Sequence, residues 1–361
     1  MGGTGRESGR KIFMRELVGA LRPRPEPPPA LPLRQAIMAG AGPLFLALLV
    51  GVGFIAAFVG ALHNPQPNAV PVGVVRGDQT AQRLLAAVAS QTRQLRAIEY
   101  DDPAAADRAV HRDEVYSALA SSPGGLSLTV ATAASPAAVA VTAGVLGVAA
   151  QRAGIPLTVT DVVPVNPDDP RGVVPFYLAV GLVIGGYFGG IALSLALGTV
   201  PRTVARAGVR IGGLAIHAIL LALAGTLIVG PGLGIWHQNL FGLFGAGTLL
   251  AYAAALFATA VQSWLARLGT TLIILLVVVL GNPGSGGIYP PEFLPSFFRG
   301  IHEWDLPGLG ADLIRSVIYF PAGTAAWTAG KLAIWAVASV AVFLAATVVL
   351  GRTARPARVA D

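Results

Sequence analysis

Residues 36–62, AIMAGAGPLFLALLVGVGFIAAFVGAL, form a continuous apolar run without a charged side chain. About 20 apolar residues in a helix are enough to cross the hydrocarbon core of a bilayer. The run is apolar on every face, whereas a surface helix of a soluble protein keeps a polar face. It therefore predicts a transmembrane helix. The run begins later and continues longer than the apolar core of a signal peptide, and cleavage after Ala61 is the alternative reading.

Residues 173–351 contain most of the remaining apolar sequence. The whole chain is 54% hydrophobic and only 12% charged, whereas soluble domains carry about 25% charged residues. The sequence therefore predicts an α-helical polytopic membrane protein with six transmembrane helices. After the first span at 36–62, the other five are expected at about 173–199, 211–233, 239–263, 268–282 and 325–350.

The segment 282–324 separates the fifth predicted span from the sixth. It is rich in glycine and proline, which cannot continue a helix, yet apolar residues such as Phe293 and Phe297 persist in it. We expect a re-entrant hairpin that dips partly into the outer leaflet and is buried against protein. Residues 309–320 are expected to form a short helix along the outer surface.

Residues 63–172 have the composition of a soluble domain and alternate strand-like with helix-like patterns. This order predicts an α/β domain with a largely parallel sheet, inserted between transmembrane helices 1 and 2. Ser121 and Ser122 are expected in a loop. The strands are expected at 69–75, 95–100, 126–131 and 157–165, and the helices at 80–95, 103–120 and 136–153.

The distribution of positive charge predicts the orientation in the membrane. Basic residues without acidic neighbours follow the second and fourth predicted spans, and such turns are usually cytoplasmic. The uncharged turn near 236–239 is expected outside. Both termini are then cytoplasmic, as a basic, proline-rich N-terminal segment (1–35) and a basic tail (352–361), and the domain at 63–172 is extracytoplasmic.

Several function classes are excluded or disfavoured. The two lysines, Lys11 and Lys331, do not stand in a Gly-x-x-x-x-Gly-Lys-Ser/Thr loop, so the chain is not a P-loop ATPase. No Asp or Glu lies in a predicted span, which disfavours an ion-coupled transporter. His217 is the one ionisable residue near a span centre and is expected to donate to a neighbouring carbonyl. We predict no catalytic residue, cofactor, metal site or nucleic-acid partner.

Two groups of residues are the candidate functional positions. Small residues in a membrane helix let neighbouring backbones approach closely, so Gly185, Gly186, Gly189 and Gly190 predict a helix-packing surface. The second group consists of basic residues in the predicted cytoplasmic turns. They either set topology and bind lipid headgroups or contact a cytoplasmic ATPase; they are Arg202, Arg206, Arg210 and Arg267.

Three runs resemble ABC-2 type transporter membrane subunits, in the phage-infection-protein-like subgroup. Residues 161–172 (DVVPVNPDDPRG) resemble the family's junction between the outer domain and the second span. Residues 290–298 (PPEFLPSFF) resemble its re-entrant region, and residues 306–320 (LPGLGADLIRSVIYF) its outer segment before the last span. The resemblance covers most of the chain after residue 36, but the basic, proline-rich N-terminal segment departs from it.

The resemblance implies a permease in the bacterial cytoplasmic (inner) membrane. Such a subunit forms a homodimer or heterodimer and is energised by a separate ATP-binding subunit. Its cargo could be a lipid, glycolipid, polymer, peptide or drug. A non-transporting envelope scaffold or receptor, whose outer domain binds partners, remains the alternative, and a secondary transporter is the third reading.

Overall fold

The computed structural model describes residues 32–351, so the predicted N-terminal segment, apart from residues 32–35, and the basic tail lie outside the described residues. The chain divides into two compact units, Met1–Gly51 and Val52–Asp361. The described part of the first unit is the beginning of helix α1. Apart from this helix, the features discussed below belong to the second unit.

The second unit contains a five-stranded sheet with its helices, followed in sequence by long apolar helices. The elements in chain order are α1 (Leu33–Leu62), β1 (Val70–Val75), α2 (Gln79–Gln91), β2 (Leu95–Tyr100), α3 (Pro103–His111), β3 (Ser117–Ser122), β4 (Gly125–Val130), α4 (Pro136–Arg152), β5 (Leu157–Asp161), α5 (Val174–Leu197), α6 (Val204–Leu227), α7 (Leu240–Ile273), α8 (Ser296–His302), α9 (Leu306–Tyr319) and α10 (Ala325–Leu350).

Within residues 32–351, five helices are long and apolar enough to cross a membrane. The chain is therefore a multi-pass membrane protein. Helix α7 contains a break at Ala266 (φ 49°, ψ −122°). The fifth predicted span corresponds to a shorter apolar helix, Leu268–Gly284, which consists of the end of α7 after this break and the residues that follow it. The five long candidates are Gly40–Leu62, Val174–Leu197, Val204–Gly232, Leu240–Ala266 and Ala325–Leu350.

The sheet has the strand order β2-β1-β3-β4-β5, in which only the β3–β4 pair is antiparallel. The predicted helix at 103–120 is wrong after residue 111, and the loop predicted at Ser121 and Ser122 is also wrong. The structure places β3 there, joined to β4 by a two-residue Pro-Gly turn. Glycine and proline favour such turns, and the buried residues of β3 gain ladder hydrogen bonds and core contacts that outweigh local helix propensity.

Helix α7 lies at the centre of the helical part and packs against α5, α6 and α10. Helix α9 also packs against α5, α7 and α10, and most of its side chains are buried. The sequence predicts a short helix along the outer surface at residues 309–320, and the structure shows in addition that most side chains of this helix are buried against its neighbours. The helix is largely apolar, so burial against its neighbours removes more apolar area from water than a surface position would.

The residues just before α8 pack into the sheet domain. Phe293 is 6% exposed and belongs to the same buried cluster as β1 and β4, while Tyr289 stacks on it with ring centroids 6.2 Å apart. The backbone N–H of Asn68 donates to the Glu292 carbonyl at 2.9 Å. This part of the predicted re-entrant segment is thus buried against the α/β domain, which was expected to be complete at residue 172.

Candidate functional site

A set of charged and polar side chains lies where residues 284–324 meet the α/β domain. Six of its seven members line a small cavity of about 190 Å³. Charged side chains are rarely buried unless they are paired, so their accumulation here calls for a functional explanation. We name the set the charged cluster; it comprises Asp113, Tyr116, Glu292, His302, Asp305, Asp312 and Arg315.

The turns around α8 and α9 position the centre of the charged cluster. His302 ends α8, and Asp305 caps the N-terminus of α9 by accepting from the Gly308 N–H at 2.7 Å. Asp312 and Arg315 stand three residues apart on α9, so they face the same side of the helix. The Asp312 Oδ1 and Arg315 Nη1 atoms are 3.3 Å apart.

His302 is held between two acceptors. Its Nε2 lies 3.1 Å from Asp312 Oδ2, and its Nδ1 lies 3.2 Å from the Gly284 carbonyl oxygen. Burial alone would lower the pKa of His302, but the Asp312 carboxylate, the nearby Asp305 and the Gly284 carbonyl outweigh it and raise the pKa to about 9. Both ring nitrogens therefore donate, and His302 is a buried cation at neutral pH.

The carboxyl groups of the charged cluster fall into two kinds. Burial would raise the pKa of Asp312, but His302 and Arg315 outweigh it and lower that pKa. Burial raises the pKa of Asp305 well above its usual range and that of Asp113 to about 7, against the attraction of His302 and of Arg315 respectively. One ionised and two protonatable carboxyl groups therefore lie close together.

The charged cluster also contacts the sheet domain. The Tyr116 hydroxyl, just before β3, donates to Glu292 Oε2 at 2.9 Å. Arg299 on α8 fixes the backbone beside Glu292 by donating from Nε to the Pro291 carbonyl at 3.0 Å and from Nη2 to the Glu292 carbonyl at 3.1 Å. These hydrogen bonds link α8, through residues 291 and 292, to the start of β3 in the α/β domain.

The charged cluster is suited to proton transfer and to ion pairing. Among residues 32–351, no group of three or more His, Cys, Asp or Glu is placed to hold a metal ion. The side chains can bind, release and relay protons, and they can bind a charged group in the cavity.

The four glycines predicted to pack lie in α5 with their Cα atoms against two other helices. A Cβ at Gly186 would lie 2.3 Å from the Ala251 carbonyl oxygen, and one at Gly190 would lie 2.7 Å from the Ala255 carbonyl oxygen, both on α7. A Cβ at Gly185 or Gly189 would meet Leu221 or His217 of α6 at 2.5 Å. The glycine seam (Gly185, Gly186, Gly189, Gly190) thus adjoins α7 on one side and α6 on the other.

The four arginines do not form one surface. Arg202 and Arg206 are exposed in the α5–α6 turn, whereas Arg210 is 6% exposed. Its guanidinium donates to the carbonyls of Leu197 and Gly198 at 2.6 and 2.7 Å, where it caps the C-terminus of α5. The structure therefore gives Arg210 an internal role and not the expected partner contact. Arg267 follows the break in α7, and its side chain lies outside the described residues.

His217 donates from Nε2 to the Gly185 carbonyl at 2.9 Å, which confirms the predicted carbonyl bond. The charged cluster, by contrast, was not predicted, because its members lie outside the six predicted spans. One signal was available: Asp312 and Arg315 stand at helical spacing inside the apolar run LPGLGADLIRSVIYF. Charges on a helix with so few other polar residues indicate a buried pair.

The fold and these sites define a multi-pass membrane protein with a mixed α/β sheet and a partly buried charged cluster. No protein-family model, curated protein or solved structure matches the chain.

Proposed function

We propose that this chain is the membrane-spanning permease subunit of an ABC-2 type exporter, energised by a separate ATP-hydrolysing subunit. It would cross the bacterial cytoplasmic membrane six times, with the sheet domain outside and both termini inside. The observation that most supports the proposal is the exposed basic turn between α5 and α6. This turn lies at the opposite ends of those helices from the loops that contact the sheet domain.

Successive loops lie alternately at the sheet end and at the opposite end of the helices, and this alternation supports six crossings. The loops before α5 and after α6 meet at the sheet end, where Asn166 Nδ2 donates to the Ile235 carbonyl at 2.5 Å. At the other end, a Cβ on Gly351, just after α10, would lie 2.6 Å from the Pro201 carbonyl oxygen. Residues 268–284 start near the break in α7 and end beside His302, and their ~25 Å as a helix almost equals the hydrocarbon thickness.

The end of the helices remote from the sheet carries the charge expected of a cytoplasmic face. Its described turns, 198–206 and 264–268, contain Arg202, Arg206 and Arg267 and no acidic residue. Exposed arginines favour docking of an acidic surface on a partner protein. We assign Arg202 and Arg206, and not Arg210, as the docking residues for the ATP-hydrolysing subunit.

The packing provides a route for movement from that end to the sheet domain. Helix α5 begins next to the sheet domain, ends at the basic turn and packs through the glycine seam on α6 and α7. Small residues let these helices approach closely, and such a closely packed contact transmits strain because it is nearly incompressible. Helix α9 packs against α5 and carries Asp312 and Arg315, so a shift of α5 would reach the charged cluster. This is a mechanical hypothesis for alternating access, in which the sheet domain gates release.

The test uses the full chain and any ATP-hydrolysing subunit encoded beside its gene. We expect co-purification and stimulated ATP hydrolysis, both lost in an Arg202→Glu/Arg206→Glu variant. The control, Arg108→Glu/Arg152→Glu, makes the same charge change on exposed residues of the sheet domain and should retain both. Absence of association in the wild-type chain, or equal loss in both variants, would contradict the proposal and favour an envelope scaffold.

A further inference from the structure

A second cavity, of about 430 Å³, lies between the N-terminus of α4, the beginning of α5 and the segment 286–290. Two arginines, Arg171 and Arg315, line it, and none of its lining residues is acidic. We name it the arginine cavity. Its excess of positive charge in a partly enclosed space favours an anion.

Arg315 has unused hydrogen-bonding capacity in this cavity. The residue is only 9% exposed, and its one hydrogen bond within residues 32–351 runs from Nη1 to Asp312 at 3.3 Å. Its Nε and Nη2 groups have no protein acceptor in that part of the chain. These two groups are free to donate into the cavity, and a guanidinium presents its donors in a planar fork that matches an oxyanion.

The other lining groups complement the same ligand. The first turn of α4, at Pro136 and Ala137, borders the cavity and contributes the positive end of a helix of 17 residues. Tyr177 and Tyr289 line the cavity, and neither hydroxyl makes a hydrogen bond within the described residues. A tetrahedral oxyanion that accepts several hydrogen bonds would fit this set of groups, which consists of two guanidiniums, a helix N-terminus and two free hydroxyls.

We propose that the arginine cavity binds a phosphate-type oxyanion, carried either by a lipid headgroup or by a soluble phosphate compound. The position favours a lipid, because Tyr177 stands in the first turn of membrane helix α5 and is 58% exposed. Aromatic residues at helix ends commonly mark the level of the headgroups. The inference depends on the cavity and on the membrane assignment, and it does not require the transport proposal.

Binding in the arginine cavity would also act on the charged cluster. Arg315 lines both cavities, so an oxyanion bound at its free Nε and Nη2 groups would draw the guanidinium away from Asp312, which is bonded only to Nη1. Weakening that ion pair leaves His302 as the principal partner of Asp312. The bound anion would thereby bias the contact between α9 and the sheet domain.

Two variants test the site without removing Arg315, whose loss would leave Asp312 with a single cationic partner. Arg171→Gln removes one exposed guanidinium. Ala137→Asp places a carboxylate in the cavity, at a helix position where an acidic residue is favourable for stability. The matched controls are Arg108→Gln on α3 and Ala140→Asp, an exposed α4 position that does not line the cavity.

The full chain is purified in a neutral detergent and exposed to vesicles of equal phosphatidylglycerol and phosphatidylcholine, and retained lipid is measured by native mass spectrometry. A parallel arm titrates inorganic pyrophosphate calorimetrically. We expect retained phosphatidylglycerol, with about tenfold weaker binding in Arg171→Gln and no binding in Ala137→Asp. Both controls should bind like the wild type.

Pyrophosphate binding with the same variant pattern, without lipid retention, would support the oxyanion site and assign a soluble source. Absence of both ligands from the wild-type chain would overturn the proposal. Equal losses in the site variants and the controls would overturn it too, because the binding would then be a general effect of charge. The permease assignment could fail in the ATPase experiment while this result stands.

Discussion

His302 stabilises the fold through its charge. Its pKa is raised from 6.5 to about 9 in the folded chain, so the folded state binds more protons than the unfolded state between these values. The contribution is complete below about pH 6.5 and is lost as the pH rises to about 9. A shift of this size corresponds to roughly 3 kcal/mol as an upper bound.

We therefore predict that the melting temperature of the detergent-solubilised chain falls between pH 6.5 and pH 9. His302→Gln should lower the melting temperature at pH 6.5 and flatten its dependence on pH. The control His237→Gln changes an exposed histidine that makes no hydrogen bond or ion pair within residues 32–351 and should keep the wild-type slope. An unchanged slope in His302→Gln would show that the ion pair with Asp312 does not form.

Gly186 provides the sharpest test of the glycine seam. Gly186→Ala places a Cβ 2.3 Å from the Ala251 carbonyl oxygen, which neither backbone can avoid without separating α5 and α7. We expect about 1–3 kcal/mol of destabilisation, the usual cost of overpacking. Gly181→Ala is the control on the same helix, since a Cβ there meets nothing within 4 Å. Thermal unfolding followed by tryptophan fluorescence measures both, and equal melting temperatures would contradict the seam.

At the scale of single residues, the type of hydrogen-bond partner was predictable from the sequence where local chemistry decides it. A histidine in an apolar helix needs a carbonyl within reach, so a bond from His217 to a carbonyl followed from the sequence, whereas its partner Gly185 is known only from the fold. The role of Arg210 did not. Its neighbours Arg202 and Arg206 are exposed, and only the return of α6 past the end of α5 turns Arg210 toward the Leu197 and Gly198 carbonyls.

At the scale of elements, the segment before α8 contributes to the α/β core from a distant part of the sequence. Phe293→Ala should cost about 3–5 kcal/mol because it leaves a cavity in the sheet core. Phe297→Ala removes the same side chain from a position 57% exposed and should cost less than about 0.5 kcal/mol in water, as surface changes do. Limited proteolysis of the segment 289–295 measures the difference, and equal protection in the two variants would contradict the contact.

The elements that the sequence predicted well carry strong local signals. Strand β1 and helix α4 were predicted to within one residue at each end, because Ser135 and Pro136 mark the start of α4 and a valine-rich run marks β1. Strand β3 was missed because helix α3 precedes it and alanine and serine do not favour a strand. The burial of α9 could not be read from its pattern, since an amphipathic helix suits a membrane surface and a protein groove equally.

At the scale of the whole molecule, a basic turn lies at one end of the helices and the charged cluster lies beside the sheet at the other end. The apolar spans predicted a multi-pass membrane protein, and the structure confirms that coarse class. Apart from the Asp312–Arg315 pair, whose spacing inside an apolar run is a sequence signal, the charged cluster could not be predicted, because it assembles residues 113–116, 292 and 302–315, which only the folded chain brings together. Burial of ionisable groups from separate segments is a tertiary property.

The most direct measurement is the sidedness of two single cysteines. The chain has no native cysteine, so Ala104→Cys on exposed α3 and Arg202→Cys in the α5–α6 turn can each be labelled without background. With the sheet domain outside and the α5–α6 turn inside, we expect a membrane-impermeant maleimide to label Ala104→Cys in intact spheroplasts and Arg202→Cys only after permeabilisation. Labelling of both from the same side, or of Arg202→Cys alone in intact spheroplasts, would contradict this orientation.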